Sequence, residues 1–368
     1  MKKTFILLLV VAVAAACARE PKFTLTGTID GAGNETVVLQ KRIPGGYQVL
    51  DSATIENGTF KMEGVVDYPQ MVNLVIRGKR GGLNFYIENS EITINGHADS
   101  LYMGSVSGSA TQAEYDEYKA LLDGSNAEMT KIYDSYRMAR MDGNEELAAS
   151  LEKEIEALDI KQTEIKKEFI ANNPSSYIAP AVLGELAYYL EVDEMESILN
   201  KFDTTLNKVQ TVIALKDRLV QLKTVAVGQK APDFTLNDAD GNPISLSSRI
   251  GGDTKLLLLD FWAAWCGPCR QENPNVVKVW KEYNKKGFDV FGVSLDRSRE
   301  DWLKAIQDDN LTWTHVSDLK YWDCAPAKQY AVNAIPANFL IDANGVILGH
   351  NLRGDALAEK VKEILDTK

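Results

Sequence analysis

The stretch Leu256-Leu-Leu-Leu-Asp-Phe-Trp-Ala-Ala-Trp-Cys-Gly-Pro-Cys269 decides the fold of the C-terminal part of this chain. Its first seven residues form an apolar run with one carboxyl group, which is typical of a strand that is covered on both faces of its sheet. Residues 266–286 follow with a helical pattern. A buried strand that leads directly into a helix predicts a βαβ crossover and an α/β domain.

The segments around this stretch continue the alternation of strands and helices. A hairpin around Asp240-Gly241 precedes it, and two strands around Asn344-Gly345 follow it. The predicted strands are 234–236, 244–246, 255–262, 288–295, 338–341 and 346–348, and the further helices are 300–308 and 357–365. We therefore predict one α/β domain over residues 226–368.

The first part of the chain has a different pattern. Short segments such as 23–29 and 71–76 alternate apolar and polar residues, as half-buried strands do. Asn57-Gly58 lies between two such segments and predicts a hairpin, because both residue types tolerate positive φ. These signals predict an antiparallel β domain over residues 20–108. It contains no cluster of titratable residues that indicates chemistry.

Residues 109–225 have a helical and more charged pattern. Apolar residues three or four apart over 145–165 predict an amphipathic helix. Asn172-Asn173-Pro174 should end it, because the residue before a proline is disfavoured in the α region. Three shorter helices are predicted after it, over 183–190, 195–199 and 206–222. Nothing in this segment indicates a partner.

Composition excludes several classes of protein. The 368 residues include 40 Lys and Arg against 52 Asp and Glu, a formal charge of −12. An acidic chain is poorly suited to nucleic acid, since binding depends on neutralising phosphates. A hydrophobic content of 45% with 25% charged residues indicates a folded chain rather than disorder or many membrane spans. Four cysteines are too few for disulfides to be the main support of a fold of this length.

The N-terminus has the parts of an export signal. Met1-Lys2-Lys3 precedes an apolar run over 5–16, which is shorter than the about 20 residues that a membrane helix needs. Residues 1–16 are therefore predicted to be a signal peptide. Ala14-Ala-Ala-Cys17 resembles the lipobox of bacterial lipoproteins, which implies a lipid on Cys17 and an anchor in a membrane. Because Ala14 stands where Leu is usual, ordinary cleavage before Cys17 is the alternative.

Cys266 and Cys269 form a C-x-x-C pair at the predicted start of a helix. There the unpaired N–H groups and the helix dipole favour an anion, so the reactive thiolate of Cys266 should be stabilised. Pro268 is tolerated in the first turn. A structural zinc site would need four ligands, whereas the chain adds only Cys324 and three scattered histidines. We therefore predict a redox dithiol that uses no metal and no cofactor.

Asp260 is predicted to be a second catalytic residue. It interrupts the apolar strand six residues before Cys266, so it should be buried, and burial raises the pKa of a carboxyl group. A carboxyl group with a pKa near neutrality could accept the proton of Cys269. The alternative is a structural Asp that binds backbone N–H groups.

The run from Asp260 to Arg270 resembles the active site of thioredoxins. Residues 228–236, together with Cys269-Arg-Gln-Glu-Asn-Pro274, are more similar to the membrane-anchored TlpA/ResA-type thiol-disulfide oxidoreductases. The resemblance covers residues 226–368 and implies a thioredoxin-like fold there. The preceding β and helical regions resemble, more weakly, an accessory region of Bacteroidetes lipoproteins.

The same resemblance implies where a substrate binds. Residues 333–342 are similar to the family's proline loop, which implies a cis bond between Ile335 and Pro336 and pairing of that loop with an extended peptide. Ala337 departs from the family, which often has Thr there. The remaining expected substrate-binding residues flank or separate the cysteines: Trp265, Gly267 and Pro268.

Two features do not follow the thioredoxin pattern. The lysine that accompanies the buried Asp in thioredoxins has no counterpart in residues 289–296, so the proton route can differ. Cys324 is a leftover thiol. It is either a small buried apolar residue or a regulatory, partner-linking one.

The resemblance implies a reductase of disulfides in exported proteins. Gly267-Pro268 matches thioredoxin, whose potential is about −270 mV against about −120 mV for the oxidant DsbA. A reductase in an oxidising, periplasm-facing envelope needs a membrane electron donor of the DsbD/CcdA type. The alternatives are an oxidase or isomerase, or a binding lipoprotein with an accessory redox domain. A peroxidase is disfavoured because the residues before Cys266 lack a P-x-x-x-T-x-x-C pattern.

Overall fold

The computed structural model describes residues 22–43 and 45–366. The predicted signal peptide of residues 1–16 and the lipidation of Cys17 lie outside the described residues. The described residues separate into two compact units, one that runs to residue 188 and adds 201–211, and one that comprises 189–200 and the residues from 212 onward. Within the described ranges, no helix combines the length and the apolar character that a membrane crossing requires.

The first unit begins with eight strands in two four-stranded sheets. The strands are β1 (Phe23–Asp30), β2 (Thr36–Ile43), β3 (Gly46–Thr54), β4 (Thr59–Gly64), β5 (Gln70–Ile76), β6 (Gly82–Ile87), β7 (Glu91–His97) and β8 (Ser105–Ser107). Their order is β4-β1-β7-β8 in one sheet and β3-β2-β5-β6 in the other. The pairing is antiparallel except between β1 and β7, which are parallel. The predicted antiparallel β fold is confirmed.

The two sheets share one apolar core. Leu25 of β1 and Ile94 of β7 come from one sheet, while Leu39 of β2 and Leu74 of β5 come from the other, and all four are fully buried. Alternate residues of β1 are buried, as the period of two in its sequence predicts. The alternation therefore decides which face of each strand packs inward.

The prediction of a hairpin at Asn57-Gly58 is correct for the turn and wrong for the pairing of the strands on its two sides. Both residues have positive φ, 51° and 75°, and Glu56 and Thr59 form a tight bridge, so the turn exists. However, β3 and β4 on its two sides belong to different sheets. Turn chemistry is local, whereas the partner of a strand depends on which apolar faces can share a core.

Five helices follow the sheets. They are α1 (Ala110–Met141), α2 (Glu145–Asn172), α3 (Ala179–Leu186), α4 (Val192–Lys201) and α5 (Gln210–Thr224). α2 ends at Asn172, as predicted from the Asn-Asn-Pro sequence. The helix predicted over 206–222 is instead a short 3₁₀ turn, Thr204–Lys208, followed by α5.

The C-terminal part has a seven-stranded mixed sheet with helices. Its elements are β9 (Thr235–Asn237), β10 (Pro243–Ser245), β11 (Leu256–Trp262), α6 (Gly267–Tyr283), β12 (Phe288–Ser294), α7 (Arg299–Asp308), β13 (Thr314–Ser317), α8 (Ala325–Gln329), β14 (Ala337–Asp342), β15 (Ile347–His350) and α9 (Gly354–Asp366). The strand order is β10-β9-β13-β12-β11-β14-β15. The sequence analysis missed β13 and α8, which are short and lack a continuous apolar pattern.

All seven residues of β11 are buried, including Asp260. The strand pairs in parallel with β12 and antiparallel with β14. It is therefore a central strand, as its apolar run predicts. The predicted α/β, thioredoxin-like class of this domain is confirmed.

Candidate active site

The two cysteines lie at the start of α6, where β11 ends. Cys266 is the N-cap residue, and its Sγ accepts the backbone N–H of Cys269 at 3.1 Å. The two form a disulfide with a Cα–Cα distance of 5.2 Å. An N–H donor and the positive end of the helix dipole both favour a thiolate at Cys266 once the bond is reduced.

The two cysteines differ in exposure. Cys266 is 4% exposed and Cys269 is 1% exposed, while Gly267 and Pro268 between them are exposed. The ring of Trp265, which precedes Cys266, is also exposed. An incoming sulfur can therefore approach Cys266 more readily than Cys269, which fits an attacking and a resolving thiol.

Exposed Trp265 and two half-buried rings, Tyr321 and Trp322, form an aromatic cluster beside the disulfide. Its indole N–H donates to the Leu295 carbonyl at 3.3 Å. Its ring lies 5.0 Å from that of Tyr321 and 6.0 Å from that of Trp322, and the guanidinium of Arg297 lies 4.2 Å from the centre of the Tyr321 ring. These rings give the surface next to Cys266 an apolar character that an extended peptide could contact.

Asp260 is buried in β11, as predicted. Burial, and after it the charge of Glu272, raises the pKa of its carboxyl group, while the charge of Arg353 lowers it; the net pKa is about 7. No residue in ranges 22–43 and 45–366 donates a hydrogen bond to this carboxyl group. The alternative interpretation, a structural Asp held by backbone N–H groups, requires hydrogen bonds to this carboxyl group, and the described residues form none.

Glu272 and Arg353 are the two charged residues that act on Asp260. Glu272 lies one turn after Cys269 on α6, and its Oε1 accepts from the Gly354 N–H at 2.9 Å. The guanidinium of Arg353 donates to the carbonyl of Pro336. Their opposite charges act on the same carboxyl group, so the pKa of Asp260 depends on both.

The proline loop lies at the same end of the sheet as the disulfide. The Ile335–Pro336 bond is cis, as the resemblance implies. Ala337, the next residue, pairs with Phe261 near the end of β11. Arg353 reaches the loop because the side chain of Asn338 holds Leu352, accepting its N–H at 2.9 Å and donating to its carbonyl at 2.7 Å.

The sequence analysis missed the roles of Glu272 and Arg353. Helical spacing from Cys269 could have indicated Glu272, since residues three apart share a helix face. No local signal indicates Arg353, because it comes from the segment between β15 and α9, more than 90 residues from Asp260 along the chain.

Cys324 is fully buried, and burial raises the pKa of its thiol to about 11. Both observations fit the small buried apolar residue better than the regulatory thiol. In the described part of the chain, no three His, Cys, Asp or Glu side chains converge as metal ligands.

A dithiol at a helix start, a buried carboxyl group and a cis-proline loop define a thioredoxin-like redox protein. Residues 227–350 match the AhpC/TSA family, and residues 23–115 match a domain of unknown function, DUF4369. The thiol-disulfide oxidoreductase ResA of Geobacillus thermodenitrificans is 32% identical over 143 residues, which cover 39% of this chain and 78% of that relative. The thioredoxin-like protein YneN of Bacillus subtilis is 37% identical, with coverage of 33% and 68%.

A solved structure is also similar in sequence. The thioredoxin domain of a thiol-disulfide oxidoreductase from Bacteroides vulgatus is 38% identical and aligns with 38% of this chain and 98% of its own, with a TM-score of 0.36. The chain belongs with the ResA-related thiol-disulfide oxidoreductases. Its match to the AhpC/TSA family is confined to the thioredoxin-like domain, and a DUF4369 domain precedes that domain. It is a thiol-disulfide oxidoreductase.

Proposed function

We propose that the protein is a membrane-anchored reductase of disulfides in exported proteins. The observation that carries this proposal is the disulfide at the start of α6, with Cys266 capping the helix and Cys269 buried. The strand that leads into this helix, β11, carries a buried carboxyl group with a pKa near 7. The site thus holds a nucleophile, a resolving thiol and a proton acceptor.

In the first step the thiolate of Cys266 attacks one sulfur of a client disulfide. A bond forms between Cys266 and that sulfur, the client S–S bond breaks, and the other client sulfur leaves as a thiolate. The N–H of Cys269 and the helix dipole stabilise the negative charge of Cys266 before the attack.

In the second step Cys269 resolves the mixed disulfide. Asp260 accepts the Cys269 proton, the resulting thiolate attacks Cys266, and the second client sulfur leaves. The client has then gained two electrons, and the enzyme holds the Cys266–Cys269 disulfide, which is the state of this structure. The proton on Asp260 can return to a departing client thiolate.

The client is proposed to bind as an extended segment beside the disulfide. The backbone of Ile335, before the cis-proline, would pair with it as a sheet edge does. Exposed Trp265, Gly267 and Pro268 would contact the same segment from the side of α6. The cluster of Trp265 with Tyr321 favours clients that have apolar residues near their cysteine.

The cellular setting is part of the proposal. The signal sequence and Cys17 support a lipid anchor that places the protein in the cell envelope, facing the periplasm. Because that space is oxidising, a membrane electron donor of the DsbD/CcdA type would return the dithiol to its reduced form. The acidic charge of −12 argues against nucleic acid as a partner.

A Cys269→Ser variant tests the proposal. Without its resolving thiol the enzyme should accumulate a mixed disulfide through Cys266, and mass spectrometry of the envelope fraction would identify the client. A Cys266→Ser variant with Cys269 intact is the matched control and should yield almost no adduct.

Two results would contradict the proposal. Adducts that form equally through either cysteine would mean that the nucleophile is misassigned. A measured potential near that of DsbA, with the wild-type enzyme found oxidised in cells, would indicate an oxidase instead.

A further inference from the structure

Residues 351–354 join the end of β15 to the start of α9. Asn351 and Gly354, at the two ends of this segment, have left-handed backbone conformations with φ values of 54° and 53°. Glycine and asparagine are the residue types that adopt this conformation most easily. The chain therefore turns at both ends of the segment, which sets it apart from the strand and the helix that it connects.

On one side the segment is bonded to the proline loop. The guanidinium of Arg353 donates to the Pro336 carbonyl. Asn338, which is 2% exposed, accepts the Leu352 N–H at 2.9 Å and donates to the Leu352 carbonyl at 2.7 Å. The Asn351 N–H donates to the Asn338 carbonyl at 2.8 Å. Successive residues of the segment are thus fixed to the loop that carries the cis-proline.

On the other side the segment is bonded to α6, the helix that begins at the dithiol. The Gly354 N–H donates to Oε1 of Glu272 at 2.9 Å. The side-chain amide of Asn275 donates to the Gly354 carbonyl at 3.0 Å and to the same Glu272 oxygen at 2.8 Å. Glu272 and Asn275 are three residues apart, so they share one face of the helix. The segment is therefore held by the dithiol helix and by the proline loop at once.

The bond from Arg353 reaches the proline loop where the sheet no longer supports it. β14 begins at Ala337, which pairs with Phe261 of β11, so the sheet holds the loop from Ala337 onward. Ile335 and Pro336 precede the strand. The guanidinium thus extends the support of the loop to the peptide that follows the cis-proline.

The two elements that the segment joins are the two sides of the proposed client site. The disulfide lies at the start of α6, and the backbone of Ile335 precedes the cis-proline. A client must pair with that backbone while its sulfur reaches Cys266. The spacing of the two sides therefore decides whether both contacts form together.

We propose that Arg353 is a positioning residue for client binding, because residues 351–354 hold the proline loop in place relative to the dithiol helix. Fixing the Pro336 carbonyl orients the neighbouring backbone of Ile335, with which the client pairs. An extended client should react more slowly when this support is lost, whereas a disulfide too small to reach the loop should not. The inference rests on the proposed binding of clients beside the cis-proline.

The attack of Cys266 on two different disulfides tests the inference. One substrate is a peptide disulfide with several uncharged residues on each side of its cysteine, and the other is 2-hydroxyethyl disulfide. Both are reacted with the full chain carrying Cys269→Ser, so that the resolving step and its dependence on Asp260 are removed. The ratio of the two second-order rate constants reports the contribution of the loop, because a change in the thiolate of Cys266 affects both rates alike.

Arg353→Gln removes the charge and shortens the side chain. The ratio of the peptide rate to the small-disulfide rate should fall about fivefold, the effect of losing one hydrogen bond from a charged donor. A continued reaction with 2-hydroxyethyl disulfide shows that the dithiol site of the variant is folded.

Arg299→Gln is the matched control. The guanidinium of Arg299 also donates to a backbone carbonyl, that of Ala239 at 2.6 Å and 3.1 Å, but in the hairpin between β9 and β10. This variant should keep the ratio of the parent protein. An Arg353→Gln ratio equal to that of Arg299→Gln would overturn the inference. A parent protein that attacks the peptide no faster than the small disulfide would instead overturn the proposed client site.

Asn275→Ala tests the other end of the segment. It removes the bonds from α6 to the Gly354 carbonyl and to Glu272, so the ratio should fall as in Arg353→Gln. Because both residues act through one segment, the double variant should lose less than the product of the two single effects. An unchanged ratio in Asn275→Ala, or fully independent effects, would contradict the role of the segment.

Discussion

The two sheets of residues 23–107 and the seven-stranded sheet of residues 235–350 bury different kinds of side chain. The first core is a continuous set of apolar residues, from Phe23 to Leu101. Among the described residues, the buried carboxyl and imidazole groups, those of Asp260, Asp296 and His315, all belong to the second region. Burying such groups costs stability unless they are paired, so they mark the region in which chemistry takes place.

The three buried groups of the second region are not equivalent. Asp296 accepts the Ala264 N–H and the Ser294 hydroxyl, and through the first of these bonds it holds the loop before Cys266. Burial raises the pKa of Asp296, and these two hydrogen bonds oppose that rise. Asp260 has no such donors, and its pKa rises to about 7. A paired carboxylate stabilises structure, whereas an unpaired one is left free to exchange a proton.

The largest effect is expected from Cys266→Ser, which removes the nucleophile. Reduction of a peptide disulfide should fall by roughly 10³-fold or more, since no other described thiol is accessible. Stopped-flow assays measure the rate, and Cys324→Ser is the control that should leave it unchanged. A residual rate within tenfold of wild type would mean that another group attacks.

Asp260→Asn should have the next largest effect. The rate of the resolving step in wild type should rise with pH through about 7, because Asp260 accepts a proton only when it is ionised. The variant should lose this rise and react about 10²-fold more slowly at pH 7.5. The assay labels Cys266 of the reduced protein with 5,5′-dithiobis(2-nitrobenzoate) and follows the coloured thiolate that the attack of Cys269 releases in a single turnover.

The same substitution should stabilise the oxidised protein at alkaline pH. Because the pKa of Asp260 is raised on folding, its contribution to stability is full below pH 3.8 and is lost as the pH rises to about 7. Raising the pKa from 3.8 to about 7 corresponds to roughly 4 kcal/mol. Denaturant unfolding should find the variant more stable at pH 8 and nearly unchanged at pH 4. If the variant and the wild type were equally stable at both pH values, the burial of an ionisable group at position 260 would be contradicted.

Glu272→Gln and Arg353→Gln should shift the same titration in opposite directions. Removing the negative charge lowers the pKa of Asp260, and removing the positive charge raises it, each by about half a pH unit to one unit. The pH–rate midpoint of the resolving step reports both. Shifts in the same direction would show that the variants act through structure rather than charge.

Leu25→Ala tests the apolar core of the first region, which the two four-stranded sheets share. Removing this fully buried side chain should lower the free energy of unfolding of the β domain by about 2–5 kcal/mol. The rate of peptide disulfide reduction should stay within about twofold, since no residue of the site lies in that core. Domain-resolved hydrogen exchange and the peptide assay measure the two effects, and a large loss of rate would show that the two regions are coupled.

Much of the second region could be predicted because its signals are local. The apolar run of β11 predicts a central strand, and two cysteines at the start of a helix predict a redox pair. The burial of Asp260 follows from its position inside that run. The turn at Asn57-Gly58 could be predicted from local signals as well, and both residues do adopt positive φ.

The partners of these residues could not be predicted, because they come from distant parts of the chain. The turn at Asn57 joins strands of two different sheets, and only the shared core decides this. Arg353 reaches the proline loop, and the Asn338 side chain holds the neighbouring Leu352.

The sequence alone therefore determined most of the elements, the dithiol and the buried carboxyl group, since apolar period, turn residues and helix-start chemistry act over a few neighbouring residues. Only the tertiary structure decided which charges and polar atoms surround that carboxyl group. Strand order and register bring together residues that are far apart along the chain, and electrostatic effects depend on distance in space.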